Sequence, residues 1–428
     1  MQIHVVQSGD SLYNIARTYH VAVDTLITAN ELATPDQLVV GQTLVIPIIG
    51  QFYFIQPNDT LTMIAQKFGI SPAQLAAINH ISMNQTLQVG MRLYIPPLPK
   101  SEITSLGYVE PMGDSVSEIL KNAVEKTSPK LTFLSLFSYT MNRDGTLNSP
   151  PQNNLKQIAT ANKTAMSMAI TNIEEGSFST ELIHIILTVQ AVQNNLLDQI
   201  VNTALTNEFR EVHFDFEFIQ PEDREAYNLF LRKAKDRLSQ AGLLMSTALA
   251  PKTSATQEGL LYEAHDYKAH GEIADFVVLM TYEWGYSAGP PLPVSPIDQV
   301  RRVVDYALTE IPADKILLGQ NLYGYDWTLP FVPGGELARA ISPQQAIDIA
   351  RQFRAEIQYD YVAQAPFFKY TDQQGRIHEV WFEDARSIQA KFDLIKEKQL
   401  RGIAYWKLGL AFPQNWLLLG DNFTIRKI

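Results

Sequence analysis

Residues 211–219 read Glu-Val-His-Phe-Asp-Phe-Glu-Phe-Ile, and apolar and polar side chains alternate along them almost without a break. At a period of two, Val212, Phe214, Phe216 and Phe218 fall on one face of a strand, and His213, Asp215, Glu217 and Ile219 on the other. Two carboxylates one pleat apart stand roughly 6.5–7 Å from each other along a strand. Such a pair repels itself unless one member keeps a proton, so the stretch predicts a carboxyl with a raised pKa. Pro221-Glu222-Asp223 follows directly and predicts a helix start, with proline in the first turn and acids at the positive end of the helix dipole. A strand that ends in acids and runs into a helix fits a (β/α)8 barrel, where the C-terminal strand ends carry the chemistry. Taken alone, the stretch also fits a solvated acidic strand edge.

At 428 residues the expectation is two to three domains. Apolar residues make up 46% and charged ones 18%, which supports substantial cores and excludes a disordered chain. A net charge of −11, with no basic cluster interleaved with aromatics, argues against nucleic acid or an anionic membrane surface as a partner. Cysteine is absent, so disulfides, thiolate catalysis and thiolate metal sites are excluded. The histidines show no H-x-x-x-H spacing, and neither a metal nor another cofactor is expected. The N-terminus lacks the basic and apolar regions of a secretory signal, and no run approaches the ~18 apolar residues of a membrane span. The expectation is a chain made in the cytoplasm without a signal peptide, reaching any outer destination by another route.

The first hundred residues repeat. Gly9-Asp10-Ser11-Leu12 aligns with Asn58-Asp59-Thr60-Leu61, Ile15 with Ile64, Asn30 with Asn79, Gly41 with Gly90 and Pro47 with Pro96, every pair 49 positions apart. One unit predicts a strand (4–7), a helix (about 11–19), a second helix (about 22–30) and a closing strand (42–46). Asp10 or Ser11 caps the first helix, with Leu12, Ile15 and Ala16 as its inward stripe. The opening V-x-x-G-D-S-L, the N-x-L after the second helix and the closing V-G-x-x-L-x-I-P make each unit resemble a LysM module. That resemblance implies a shallow groove for glycans containing N-acetylglucosamine, such as peptidoglycan or chitin. It would be built from Gly9, Asp10, Ser11 and Asn30 in one copy and Asp59, Thr60 and Asn79 in the other. The second copy departs from the pattern by Asn58 in place of glycine. The alternative for the asparagines is that they only close turns. Two copies on one chain suggest avidity. The modules occupy residues 1–49 and 50–97, and the stiff Pro96-Pro97-Leu98-Pro99 marks the boundary to a third domain, 98–428.

In that third domain, strand-like runs near 105–109, 131–139, 165–170, 211–219, 243–250, 275–282, 316–322 and 402–406 alternate with helical patterns, predicting eight parallel strands. Residues 330–386 are too long for a simple connection and predict a small insertion after the seventh strand. It would contain a hairpin, with 367–370 and 379–382 flanking Asp372-Gln373-Gln374-Gly375. Asp215-Phe216-Glu217 matches the end of the D-x-x-D-x-D-x-E pattern of glycoside hydrolase family 18, with Arg210 and His213 in place of the earlier aspartates. Met280-Thr281-Tyr282-Glu283, Tyr323-Gly324 and Trp406 follow in that family's order, and the region resembles the family along nearly its whole length.

The resemblance implies hydrolysis in which the substrate's own acetamido oxygen attacks the anomeric carbon. Glu217 would be the acid and then the base, Asp215 would hold the acetamido N–H, and Tyr282 would donate to the acetamido oxygen. Trp406, Met280, Glu283, Tyr323, Tyr139 and Asn172 would bind substrate. His213 is expected beneath Asp215 as a hydrogen-bonded interior residue. A LysM pair joined to such a barrel, without a signal sequence, resembles the peptidoglycan-cleaving N-acetylglucosaminidases of spore germination. This implies spore cortex glycan as the partner, the outer layers of the spore as the location, and a monomer. A chitinase and a non-catalytic glycan-binding protein are the alternatives.

Overall fold

The computed structural model describes residues 1–428. Eight parallel strands close into a barrel: β1 (Ser101–Val109), β2 (Phe133–Met141), β3 (Ala165–Thr171), β4 (Glu211–Asp215), β5 (Leu244–Leu249), β6 (Phe276–Leu279), β7 (Ile316–Asn321) and β8 (Gly402–Trp406). Each pairs with the next, and β8 pairs back with β1. This is the predicted (β/α)8 barrel, with two small modules before it.

The alternation along each strand sorts side chains between two layers. Leu134, Leu136, Val212 and Phe214 point outward into the main core between strands and helices. Phe133, Phe137, Phe276 and Leu317 fill a smaller core inside the barrel. On β4 the outward face rests on the helix Arg224–Gln240, where Phe230 meets Phe214 and Phe216 edge-on or tilted, with centroids 5.4 and 5.8 Å apart. The inward face carries Glu211, His213 and Asp215, all buried.

The predicted strand 211–219 is shortened. Pairing stops at Asp215, and Phe218 takes a left-handed backbone conformation, φ 55°. That twist reverses the expected alternation: Phe218 is exposed at the rim and Ile219 is buried in the main core. Pro221–Asp223 forms a single 3-10 turn before the helix starts at Arg224.

The insertion begins earlier than expected. Gly324–Leu329 continues from the seventh strand into a five-stranded antiparallel sheet with Arg339–Ile341, Ile377–Trp381, Ala365–Thr371 and Gln358–Asp360. The predicted hairpin pairs Ala365–Thr371 with Ile377–Trp381. The helix Pro343–Gln352, opened by a reciprocal cap between Ser342 and Gln345, covers this sheet.

Each N-terminal module has two helices and a two-stranded antiparallel sheet: Gln2–Val5 with Thr43–Ile46 in the first, Gln51–Phe54 with Arg92–Ile95 in the second. Ser11 and Thr60 are the N-caps, each accepting from the backbone N–H three residues on. Asp10 and Asp59 instead accept the N–H groups of Gln7 and Gln56 and brace the preceding turn. Asn58 adopts φ 70° where Gly9 adopts 88°, so asparagine serves the same left-handed turn.

The two modules differ in what surrounds them. The first is docked on the third domain: Val45 joins the main core, Val39 joins the core of the insertion, and Ile357 N–H donates to Val40 C=O at 3.0 Å. Lys126 of the barrel pairs with Glu31 at 3.1 Å. The second module is held to the first by Gln2, which exchanges two hydrogen bonds with the Phe52 backbone, and by Arg92, whose Nη1 donates to the Thr18 C=O at 3.1 Å.

Candidate active site

At the C-terminal end of the barrel lies a cleft of about 450 Å³ lined by Asp215, Glu217, Met280, Tyr282, Glu283, Tyr323 and Trp406, together with Phe137, Tyr262, Tyr325 and Lys407. Glu217 stands two residues past Asp215, beyond the end of β4, and its position depends on neighbouring strands. Asn172, at the end of β3, accepts the Glu217 N–H through Oδ1 at 3.0 Å and donates from Nδ2 to the Glu217 C=O at 2.9 Å. From the other side, His265 Nε2 donates to the Phe216 C=O at 2.9 Å while its Nδ1 accepts the Ala250 N–H. Thr180 donates to the Phe218 C=O at 2.7 Å. The irregular exit of the strand is thus clamped on both sides, which fixes the Glu217 backbone.

Burial pushes the Asp215 carboxyl up to about 7, and Oδ1 has no hydrogen-bond partner. Burial, and then the charge of Asp215, push the Glu217 carboxyl well above the usual range. The pair therefore keeps a proton on Glu217 at neutral pH, as the spacing along the sequence predicts. Burial, followed by the carboxylates of Asp215, Glu217 and Glu283, raises the Tyr282 phenol and keeps it a donor. Tyr323 and Tyr325 hydroxyls both donate to Glu283, which fixes that wall of the cleft.

His213 lies where it was expected, wholly buried below Asp215. Its Nε2 accepts from the Tyr108 hydroxyl at 2.9 Å, and its Nδ1 donates to Ser246 Oγ at 2.6 Å; Ser246 in turn donates to Glu211, which assigns the tautomer. Burial holds its pKa down at about 3, so His213 is neutral and cannot share a proton with Asp215 as a carboxylic acid would. Tyr108 also meets the Trp406 ring at 5.5 Å, and Phe137 meets it at 4.6 Å, both edge-on. These contacts set the indole as the floor of the cleft.

Three of the sequence-chosen residues are not in place to touch a glycan. Tyr139 is buried in the outer core against Phe209, and its hydroxyl accepts from Gln152. An irregularity in the pairing of β2 between Leu136 and Tyr139 shifts the phase, so Phe137 reaches the cleft and Tyr139 does not. Asn172 is wholly buried and spends its side chain on Glu217 and Ser179. Asn30 is also wholly buried, exchanging bonds with the Val45 N–H and C=O, so it closes a turn. Asn79 makes the same exchange with Tyr94 and is half-buried. Gly9, Asp10, Ser11, Asp59 and Thr60 stay at least partly exposed on their module surfaces.

Among the cleft residues missed were Phe137, Tyr262, Tyr325 and Lys407. Strand alternation alone would have chosen Phe137; Tyr262 and Tyr325 come from a loop and from the insertion, whose placement no local pattern encodes.

The sequence matches Glycosyl hydrolases family 18 over residues 105–411, most of the chain. The chain belongs to this family. LysM domains match over residues 4–47 and 53–96. Among curated relatives, the family 18 chain is 64% identical over 427 residues to the "Cortical fragment-lytic enzyme" of Bacillus subtilis (strain 168), covering 100% of this chain and 99% of that one. Among solved structures, it resembles the Bacillus megaterium QM B1551 spore cortex-lytic enzyme SleL with a TM-score of 0.92 and 54% identity, covering 100% and 99% of the two chains. The Bacillus cereus spore cortex-lytic enzyme SleL is matched at the same TM-score and 48% identity, covering 100% and 98%. Coverage of 100% extends the likeness of this family 18 enzyme to its modules as well as its barrel.

Proposed function

We propose that the chain is a retaining N-acetylglucosaminidase that cleaves spore cortex peptidoglycan, or fragments of it, during germination. The observation that carries this reading is the buried pair Asp215 and Glu217 in a cleft walled by Tyr282 and floored by Trp406: one carboxyl holds a proton while its neighbour ionises. The names of the full-length relatives supply the substrate.

The glycosidic oxygen takes the proton of Glu217 as its bond to the anomeric carbon breaks. The acetamido oxygen of the same sugar attacks that carbon, and the positive charge spreads over an oxazolinium ring. Asp215, ionised, accepts the acetamido N–H and offsets that charge; Tyr282 donates to the acetamido oxygen and aims it. The Trp406 face carries the sugar. Glu217, now a carboxylate, takes a proton from water, which opens the ring from the face the leaving group left, so configuration is retained. Met280, Glu283 and Tyr323 shape the pocket around these groups.

The LysM modules hold the enzyme on insoluble glycan through the surfaces around Gly9, Asp10 and Ser11 and around Asp59 and Thr60. The chain works as a monomer in the outer layers of the spore. Digestion of purified cortex peptidoglycan by wild type and Glu217→Gln, with products read by mass spectrometry, tests the reading. New reducing-end N-acetylglucosamine from wild type alone is expected. Cleavage of chitin oligomers but not of cortex would make it a chitinase, and cleavage of neither would sink the enzyme reading.

A further inference from the structure

A second groove of about 320 Å³ opens beyond the wall of the cleft, sharing Tyr282 and Glu283 with it. Its far side is polar: Thr253, Ser254, Gln257, Gln299 and Arg302. Two cations stand along the joined grooves, and they differ in how they are held. Lys407, in the cleft, is paired with Glu110. Arg302, on the helix Ile297–Glu310, has no carboxylate partner; its one hydrogen bond runs from Nη1 to Gln299 Oε1 at 3.2 Å. The carboxylate in the same groove, Glu283, is engaged by the hydroxyls of Tyr323 and Tyr325. The groove thus ends in an uncompensated guanidinium with free N–H donors, next to the wall that holds the reacting sugar.

Such a fork matches a carboxylate bidentately. In a peptidoglycan chain, every sugar adjacent to N-acetylglucosamine is a muramyl sugar, whose lactyl ether ends in a carboxyl, is extended by a peptide with its own carboxylate, or closes into a neutral lactam. A chitin chain offers no charge at all. We propose that Arg302 is a specificity-determining residue that binds the carboxylate of a muramyl side chain on the sugar next to the cleaved bond. The assignment rests on the peptidoglycan reading above. It makes the groove a reader of acidic substituents, while Asp215, Glu217 and Tyr282 act on the acetamido sugar common to both polymers.

The test compares wild type, Arg302→Ala and Arg302→Lys on three soluble tetrasaccharides: peptide-bearing muramyl fragments, the same fragments stripped to the lactyl carboxylate, and chitotetraose. Arg302→Ala should raise KM about two- to fivefold on the acidic fragments with kcat unchanged, and leave chitotetraose unaffected; high salt should shrink the difference. Arg302→Lys should recover part of the loss, since it keeps the charge and loses the fork. An effect confined to peptide-bearing fragments places the carboxylate on the peptide; an effect on both acidic substrates places it on the lactyl group. An unchanged KM on acidic fragments, or an equal rise on chitotetraose, overturns the assignment. Calorimetric binding of the same three ligands to Glu217→Gln, with and without Arg302→Ala, reads the contact without hydrolysis. A failure of cortex cleavage by wild type is thereby distinguished from a failure of Arg302 to bind.

Discussion

At the residue scale, the placement of Glu217, the proposed acid, depends on a neighbour whose own side chain is wholly buried. Asn172 holds both backbone polar groups of Glu217, and Asn172→Ala removes two hydrogen bonds across an unpaired strand end. Letting a reacting group drift by an ångström costs on the order of a hundredfold in rate. Asn172→Ala should therefore lower kcat by roughly that factor with little change in KM, in steady-state kinetics on soluble fragments. The pH profile follows from the pair. The proposed reaction needs Asp215 ionised, so activity should fall as pH drops through about 7; it needs Glu217 protonated, and because that carboxyl is raised well above its usual range, activity should fall again only at higher pH, as Glu217 ionises. Asp215→Asn should abolish the acid limb and slow turnover on the order of a hundredfold or more. An acid limb unchanged in Asp215→Asn would remove Asp215 from this role. Asp215 and Glu217 were legible in the sequence because two acids at a period of two fall on one face of a strand, where each raises the other's pKa, whereas Tyr282 was named only through the resemblance to family 18. Tyr139 and Asn172 were misread because a single phase shift in β2, and a side chain turned toward a backbone, leave no periodic trace.

At the scale of elements, the wall that carries Tyr282 is anchored through a buried ion pair. Lys391, on the helix Ala385–Lys398, donates to the Ser295 C=O at 2.6 Å and lies 3.5 Å from Glu383, with both side chains about 1% exposed. Ser295 Oγ donates to the Thr281 C=O at 2.7 Å, beside Tyr282. Lys391→Met would leave the Glu383 carboxyl buried and unpaired, a loss of about 3–5 kcal/mol. Urea unfolding should show that loss, and the double variant Lys391→Met/Glu383→Gln should regain much of it. Equal stability of the single and double variants would contradict the pairing. The helices and strands themselves were legible, since apolar periodicity and caps such as Ser11, Thr60 and Ser342 act within a few residues. The end of β4 was not, because Phe218 departs from strand geometry to meet Phe178 across the cleft rim, 6.3 Å away.

At the scale of the whole molecule, two modules of one pattern have become different parts. A Cβ on Gly41 would sit 1.8 Å from the Ile357 carbonyl oxygen, whereas a Cβ on Gly90, the repeat-equivalent position, meets nothing within 4 Å; both have φ above 80°. Gly90→Ala should cost only the backbone strain, about 1–2 kcal/mol, and stay local to its module. Gly41→Ala adds a backbone collision and should undock the first module from the insertion. Thermal unfolding should then show a lowered transition for the third domain, and proteolysis should cut near residues 97–100, in Gly41→Ala only. Identical behaviour of the two variants would mean that the docking carries no stability. The sequence by itself determined the modules, the barrel and the acid pair, because each is written in spacings of a few residues or in a repeat of 49. Only the tertiary structure decided that the first module is welded to the barrel and the second is not, that Asn30 and Asn172 serve the fold, and that Arg302 stands unpaired beside the cleft. Those outcomes depend on which distant surfaces meet, and burial and pairing are set there rather than by any residue's near neighbours along the chain.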